Sequence, residues 1–152
     1  MTRREKAMAL FKEGYNCAQA VYAAFADILN IEEKDAARLA SPFGGGFGRQ
    51  REVCGAVSGM CLVFGALYGN DDPHNAEGKM ADYAAVQKLC ASFRERCGGS
   101  IICRELLAEE GKDTKPTPDA RTEAYYKKRP CAEIVGEAAS IVEEWLAAHP
   151  IA

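Results

Sequence analysis

The chain lacks the long apolar segments that place proteins in or across membranes. Its 152 residues contain no run of 18 or more apolar residues, so no transmembrane helix is expected. Its first residues also lack the apolar core of a secretory signal peptide, because Lys12 and Glu13 stand in the amphipathic segment there. We therefore predict a cytoplasmic protein that has no membrane partner.

An excess of basic charge is also missing. The net charge is −3, and basic residues are mixed with acidic ones along the chain. The densest basic run covers only residues 127–129, and we interpret it as a solvated turn before Pro130. Because nucleic-acid binding needs a basic face, no nucleic-acid partner is predicted.

Histidine is scarce, and the spacing Cys-x-x-Cys is absent. The missing spacing argues against a thioredoxin-type dithiol and a zinc knuckle, and without Cys-x-x-Cys-His no c-type haem is expected. The two histidines, His74 and His149, fall in a turn and near the C-terminal end, where surface positions are expected. A nucleophilic cysteine normally uses a histidine base, so hydrolytic chemistry is not expected.

Alternating strand patterns are absent as well, and apolar residues recur with helical spacing almost throughout. The length fits a single domain covering residues 1–152. Residues 51–69 are nearly free of charge after their first two positions and apolar on most of the helix circumference, as expected for a buried helix. We predict an all-α fold, a helical bundle around this central helix. The other predicted helices cover residues 4–11, 16–29, 32–40, 76–96, 101–109, 120–126 and 131–148, and residues 112–119 are predicted to be a linker.

Cysteine, in contrast, is abundant, with seven in the chain. In a reducing cytosol, cysteine-rich proteins more often bind metal or perform redox chemistry than hold static disulfides. Four cysteines coincide with signals for the start of a helix, where negative charge is stabilised and a thiol tends toward the thiolate. These candidates for redox-active thiols and metal ligands are Cys17, Cys54, Cys103 and Cys131.

Each of these cysteines has its own helix-start signal. Asn16 begins a capping-box pattern just before Cys17. Ser100 follows two glycines and is predicted to be an N-cap, which places Cys103 in the first turn of the next helix. Cys131 follows a proline and opens a long amphipathic segment. The pKa values of Cys17 and Cys131 are therefore expected to be lowered.

Gly55 and Gly59 share one face of the central helix. Glycine inside a helix costs roughly 1 kcal/mol relative to alanine, so the pair needs a reason. One reason is close packing against a neighbouring helix. The other is space beside Cys54 for a cofactor or for the sulfur of another cysteine.

Gly44, Gly45 and Gly46 form a glycine-rich loop before Cys54. The loop does not end in Gly-Lys-Ser/Thr and does not have the spacing of a dinucleotide fingerprint, so no nucleotide is expected. Backbone N–H groups in such a loop could still bind an anion, including a negatively charged iron–sulfur cluster.

The remaining cysteines lie at helical spacing from other cysteines. Cys61 follows Cys54 by seven residues, and Cys97 follows Cys90 by seven, which separates each pair by about 10 Å along a helix axis. That distance is too long for a disulfide within the helix. We interpret Cys61, Cys90 and Cys97 as small buried core residues, although a glycine turn could bring Cys97 near Cys103.

Together, these motifs resemble the C_GCAxxG_C_C family of redox-active proteins. The resemblance lies in residues 14–21, 43–46 and 54–59 with Cys103 and Cys131, and it extends over about residues 7–145. The family label writes the central motif Gly-Cys-Ala-x-x-Gly, where this chain has Cys-Gly-Ala-Val-Ser-Gly. Related sequence occurs in split-Soret cytochromes, for which an iron–sulfur centre has been suggested, although this chain lacks their haem-binding segment. The resemblance implies a small helical redox protein whose family cysteines match Cys17, Cys54, Cys103 and Cys131.

Two functions from different classes remain open. In the first, the four thiolates hold an iron–sulfur cluster, most simply [2Fe–2S], or act as a dithiol/disulfide relay, in an oxidoreductase or electron carrier with an unknown redox partner. In the second, the protein is a redox-silent helical module with structural cysteines or a Cys₄ zinc site. A homodimer is also expected, because a small bundle has limited means to cover a helix that is apolar nearly all round.

Overall fold

The computed structural model of the protein describes residues 1–151, and most of them are helical. Within this range the only β-type pairing is an isolated antiparallel bridge between Val53 and Ile102. The all-α prediction is therefore confirmed. The helices are α1 (Arg3–Glu13), α2 (Cys17–Ala23), α3 (Ala26–Leu29), α4 (Glu33–Ala40), α5 (Gly44–Phe47), α6 (Gly55–Tyr68), α7 (Ala76–Arg96), α8 (Cys103–Leu107), α9 (Glu123–Lys128) and α10 (Cys131–Ala148).

Helix α6 is the centre of the bundle and corresponds to the predicted helix at residues 51–69. It packs against α2, α10, α5 and α7. Ala56, Val57, Met60 and Val63 on α6 are buried in the core. Its C-terminal half approaches the surface, where Gly65 and Ala66 are exposed.

Close packing of α6 on α2 explains the two glycines on α6. A Cβ atom at Gly59 would lie 2.8 Å from the carbonyl oxygen of Ala18 on α2. A Cβ atom at Gly55 would lie 3.1 Å from the nitrogen of Ala18 and 3.2 Å from the Cβ of Cys17. Larger residues at these positions would push α2 away, and with it Cys17.

Several helix boundaries differ from the prediction: α6 begins at Gly55, α8 covers only Cys103–Leu107, and α9 covers Glu123–Lys128. The predicted helix at residues 16–29 is interrupted at Phe25, whose φ of −111° and ψ of 9° are not helical and whose ring is completely buried. Ser100 is not the N-cap of α8, because the helix begins at Cys103 and Ile102 is the N-cap. The Ser100 hydroxyl instead accepts a hydrogen bond from the N–H of Ile102 at 3.0 Å.

The long helices α7 and α10 flank α6. Helix α7 has 21 residues and α10 has 18. Helix α10 packs along α1, where Arg4 forms an ion pair of 3.0 Å with Glu137. Among residues 1–151, no helix is long and apolar enough to span a membrane.

Candidate functional site

The four cysteines at predicted helix starts line a single cavity of about 440 Å³. Cys17 begins α2, Cys103 begins α8, Cys131 begins α10, and Cys54 is the residue before α6. All are free thiols. The fold therefore brings together side chains from four separate parts of the chain.

The capping box predicted at α2 is present and positions Cys17. The Asn16 side chain accepts a hydrogen bond of 2.9 Å from the N–H of Gln19, and the Gln19 side chain accepts one of 3.0 Å from the N–H of Asn16. The Asn16 amide also donates to the carbonyl of Ser41 at 3.1 Å. The first turn of α2 is thereby tied to the segment that enters the glycine turn.

The isolated bridge holds Cys54 beside Cys103. The N–H of Cys54 donates to the carbonyl of Ile101 at 2.7 Å, and the N–H of Cys103 donates to the carbonyl of Glu52 at 2.6 Å. These paired bonds fix two backbone segments side by side, so that α6 and α8 both begin at the cavity.

The glycines Gly44, Gly45 and Gly46 form the short turn α5 and line the same cavity. Gly46 has a φ of +74°, in the left-handed region that favours glycine. A Cβ atom there would lie 2.6 Å from the Cβ of Cys103 and 2.8 Å from the Cα of Arg51. Glycine is thus required for both the turn and the approach of Cys103.

Cys17 and Cys131 interact directly. A hydrogen bond between their side chains is the largest cause that raises the pKa of Cys17 and lowers the pKa of Cys131. Burial raises the pKa of Cys17 further, whereas the charges of Arg129, Arg121 and Arg51 lower that of Cys131. Within this pair, Cys131 is therefore the more acidic thiol and Cys17 the less acidic one.

The expectation of a lowered pKa is therefore wrong for Cys17. The other two thiols behave similarly, since burial raises the pKa of Cys54 to about 12 and also raises the pKa of Cys103. The free energy needed to remove a thiolate from water exceeds the stabilisation that the N-terminus of a helix provides. Only Cys131, which is surrounded by guanidinium groups, has a lowered pKa among the four.

Arginines at the cavity were missed by the sequence analysis. Arg49, Arg51, Arg121 and Arg129 all line it. Residues 127–129 were predicted to be a solvated turn, which is wrong for Arg129, whose side chain is only 7% exposed. A usable signal was present at Arg49 and Arg51, which stand between the glycine turn and Cys54.

Two of these arginines share one carboxylate. The side chain of Asp119 accepts from Arg49 at 3.0 Å and from Arg129 at 2.9 Å. The hydrogen bond from Arg49 is the largest cause that lowers the pKa of Asp119. Arg49 also donates to the carbonyl of Lys115 at 2.6 Å. The predicted linker at residues 112–119 is therefore folded against the cavity.

Arg51 is a buried cation that forms no ion pair with a carboxylate in the described part of the chain. The residue is 2% exposed. It donates to the carbonyl of Asp113 at 3.0 Å and to Sγ of Cys103 at 3.7 Å. Its Nη2 atom is buried and has no hydrogen-bond partner in residues 1–151.

Arg121 also has no carboxylate partner within residues 1–151. It donates to the carbonyl oxygens of Phe11 and Tyr15 at 2.7 and 2.9 Å. Its guanidinium lies over the rings of Phe11 and Tyr125, at 4.3 and 5.1 Å from their centroids. The cavity thus contains two cationic groups that contact carbonyl oxygens, aromatic rings and a thiol, and that no carboxylate among the described residues neutralises.

An uncompensated cation in a protein interior is costly unless an anion lies nearby. The charges of Arg121 and Arg51 help to lower the pKa of Cys131, whereas burial outweighs the charge of Arg51 at Cys103. Within residues 1–151, however, no three His, Cys, Asp or Glu side chains converge closely enough to hold a metal ion. The four thiols surround a shared space without meeting at one point.

The other chemistry-bearing residues lie elsewhere. His74 and His149 are exposed, as predicted. Cys97 is half-buried and lines a different cavity from Cys103. Cys61 and Cys90 do not line the four-cysteine cavity.

Comparison with known proteins gives the class of the chain. Residues 15–145 match the family described as "Putative redox-active protein (C_GCAxxG_C_C)". The protein belongs to this C_GCAxxG_C_C redox-active family, as the sequence motifs indicated.

A relative from Archaeoglobus fulgidus, described as an "Uncharacterized protein", is 26% identical over 145 residues. The aligned region covers 91% of this chain and 89% of the relative. No solved structure matches the chain.

Proposed function

We propose that Cys17, Cys54, Cys103 and Cys131 hold a [2Fe–2S] cluster and that the protein transfers electrons to a redox partner. The observation that carries this proposal is the pair of guanidiniums, Arg51 and Arg121, that line the four-thiol cavity and form no ion pair with a carboxylate of residues 1–151. Two ferric ions, two sulfides and four thiolates have a formal charge of about −2. Such a group would supply the negative charge that the two cations lack.

The residues present fit this group in donor type and in charge. Four cysteine thiolates are the usual ligand set of a [2Fe–2S] cluster, and the cluster divides them between two iron ions. The thiols do not converge on one point in the structure, and a cluster that divides its ligands between two irons does not require them to do so. When bound, the cluster would supply one-electron chemistry.

The surrounding residues would tune and shield such a centre. Arg51 donates to Sγ of Cys103, and hydrogen bonds to ligating sulfurs influence cluster potential. Pro116 and Pro118, from the segment after α8, line the cavity and contribute apolar surface to its wall. Gly44 and Gly46 are buried, line the cavity and add no side chain to its wall.

Anaerobic reconstitution with iron and sulfide tests the proposal. The loaded protein should be brown, bind two irons per chain and give an electron paramagnetic resonance signal after reduction. Changing any of the four cysteines to serine should lower the iron content, whereas Cys97→Ser should leave it unchanged. A colourless protein that takes up one zinc ion instead would contradict the cluster and support the redox-silent alternative.

A dithiol/disulfide relay is a second candidate, and the direct contact between Cys17 and Cys131 favours it. In this reaction the two thiols would form a disulfide, releasing two protons and passing two electrons to a disulfide-containing acceptor. The relay predicts a Cys17–Cys131 cross-link after oxidation of metal-free protein. A reconstituted protein that retains both thiols as iron ligands would argue against it.

The free thiols of the chain also bear on its location, which we propose to be the cytoplasm. Free thiols persist in reducing compartments, which supports the cytoplasm.

Met80 and Tyr83 are 67% and 63% exposed, three residues apart on α7, and support association through α7. We propose a homodimer, tested by sedimentation of the wild-type protein and of Tyr83→Lys. A wild-type species of 16.5 kDa that persists as concentration rises would contradict it.

A further inference from the structure

The four-cysteine cavity carries more positive charge than its own carboxylates neutralise. Four arginines line it, and among the described residues that line it Asp119 is the only one with a carboxylate. That carboxylate pairs with both Arg49 and Arg129. Arg51 and Arg121 form no ion pair within residues 1–151. Because an uncompensated buried cation is costly, such a cavity favours an anion from solution.

The guanidinium of Arg51 is fixed at the cavity with one nitrogen unused. Its Nε atom donates to the carbonyl of Asp113 at 3.0 Å, and its Nη1 atom donates to Sγ of Cys103 at 3.7 Å. The residue is 2% exposed. Its buried Nη2 atom has no hydrogen-bond acceptor within residues 1–151. An unpaired buried donor is unfavourable, and an oxygen atom of a ligand would satisfy it.

Arg49 brings a second unpaired guanidinium nitrogen to the same wall of the cavity. Its Nε atom donates to the carbonyl of Lys115 at 2.6 Å, two residues after the carbonyl that Arg51 uses. Both guanidiniums therefore lie against the same short segment after α8. The Nη2 atom of Arg49 is buried without a hydrogen-bond acceptor in the described chain, although it forms an ion pair of 3.5 Å with Asp113.

The cavity is accessible and has room for a small ligand. Its volume of about 440 Å³ lies in the range that is typical of small-molecule pockets. Gly14, Gly48 and Pro116 line it and are exposed, so the cavity reaches the surface of the protein. A small anion can therefore enter without opening the core.

We propose that the metal-free cavity binds a small dianionic oxyanion of the phosphate type next to Arg51. The charges of Arg51 and Arg121 together match an ion with two negative charges, and the free Nη2 atom of Arg51 donates to one of its oxygens. Arg121 contributes charge, because its Nη1 and Nη2 atoms already donate to carbonyl oxygens. The site does not depend on the proposed cluster, since it belongs to the metal-free chain.

Titration calorimetry of the reduced, metal-free wild-type protein with inorganic phosphate tests the site, at pH 8 and constant ionic strength. The proposal expects saturable binding of one phosphate per chain. Sulfate, which has the same charge and shape, should compete, and acetate, with a single charge, should compete less. Absence of saturable binding, or acetate that competes as well as sulfate, would overturn the proposal.

Phenyl phosphate distinguishes a free ion from a phosphate group that a small molecule carries. Leu106, Leu107 and Ile134 give the cavity apolar surface that an organic group can contact. Tighter binding than that of inorganic phosphate would assign a phosphate ester as the ligand, and weaker binding would assign the free ion. Both results support a dianion at Arg51, whereas no binding of either compound would refute it.

Matched variants locate the bound ion. Arg51→Met should weaken phosphate binding about tenfold or more, and Arg51→Lys, which keeps the charge, should weaken it less. Arg104→Met is the control and should bind phosphate as the wild type does, because Arg104 is exposed, pairs with Glu52 and does not line the cavity. Equal affinity in a folded Arg51→Met variant would show that the ion does not bind there.

A measurement on the wild-type chain applies even if Arg51→Met does not fold. Cys17 and Cys97 are both half-buried, but Cys17 lines the four-cysteine cavity and Cys97 lines a different one. Phosphate should slow the labelling of Cys17 by maleimide and leave that of Cys97 unchanged. Identical labelling of Cys17 with and without phosphate would contradict binding in this cavity.

Iron loading separates the anion site from the proposed cluster. A cluster would use the same two cations, so the reconstituted protein should no longer bind phosphate. Loaded protein that binds phosphate as tightly as the metal-free protein would overturn the shared use of Arg51 and Arg121. Failure of the protein to bind iron would contradict the cluster and leave the phosphate result for the metal-free chain unaffected.

Discussion

The Arg51 guanidinium is a buried positive charge that donates a hydrogen bond to the sulfur of Cys103. If the cavity holds a cluster, this cation favours the reduced form, which carries one more negative charge. Arg51→Met should therefore lower the midpoint potential, on the order of tens of millivolts. Arg51→Lys keeps the charge but loses the planar fork, and a smaller decrease is expected.

The potential is measured by spectroscopic redox titration of reconstituted protein. Arg38→Met, at an exposed arginine on α4, is the control and should leave the potential unchanged. An unchanged potential in a folded, fully loaded Arg51→Met variant would show that Arg51 does not act on the centre.

Gly46 tests the fit between the glycine turn and Cys103. Gly46→Ala should combine left-handed strain with the clash against Cys103, costing more than about 2 kcal/mol of unfolding free energy. Gly98→Ala is the matched control, because Gly98 also has a positive φ of +89° but no atom within 4 Å of a Cβ. It should cost about 1–2 kcal/mol. Urea denaturation measures the loss of unfolding free energy in both variants. Equal losses would show that the glycine turn can shift to accommodate a methyl group at position 46.

At the scale of helices, the N-cap of α2 connects helix formation to the site. Asn16→Ala removes the capping bond and should destabilise the protein by about 1 kcal/mol. It should also release the start of α2, so that maleimide labels Cys17 faster in metal-free protein. Urea denaturation and labelling followed by mass spectrometry measure the two effects.

Asn75→Ala is the matched control for this prediction. The Asn75 side chain caps α7 by accepting from the N–H of Gly78 at 2.9 Å, and it does not line the cavity. A similar loss of stability is expected with no change at Cys17. Faster labelling of Cys17 in both variants would indicate general loosening rather than local release.

The helices follow from local signals in the sequence, but the environment of the cysteines does not. The capping box at α2 joins residues only three positions apart, and the apolar pattern of α6 identifies a central helix. The ion pair between Arg49 and Asp119, in contrast, joins residues 70 positions apart. Nothing local distinguishes Arg129, buried at the cavity, from its exposed neighbour Lys128.

The same distinction applies to the thiols. Helix starts identified the four cysteines at the cavity, but their pKa values depend on burial and on neighbours from other helices. The pairing of Cys17 with Cys131 depends on how α2 meets α10, which neither helix encodes alone. Periodicity therefore predicts helices and faces, while charge compensation and thiol pairing appear only after packing.

On the scale of the whole molecule, Asp119 holds together two distant parts of the chain that line the cavity. Its carboxylate joins Arg49, near the glycine turn, to Arg129, just before α10. Asp119→Asn would leave two largely buried guanidiniums without this charge. We expect a loss of about 1.5–3 kcal/mol of unfolding free energy at pH 7, measured by urea denaturation of metal-free protein.

The Asp119→Asn substitution should also change the pH dependence of the free energy of unfolding. Because the pKa of Asp119 is lowered in the folded state, its contribution is present above the ordinary aspartate pKa and is lost as pH falls through the folded pKa. Wild-type protein should therefore lose stability below about pH 4, and Asp119→Asn should show a smaller loss there. Asp35→Asn, at an exposed aspartate on α4, is the control and should follow the wild-type curve. If Asp119→Asn matched the wild-type protein at every pH, the carboxylate would not hold the segment after α8 against the cavity.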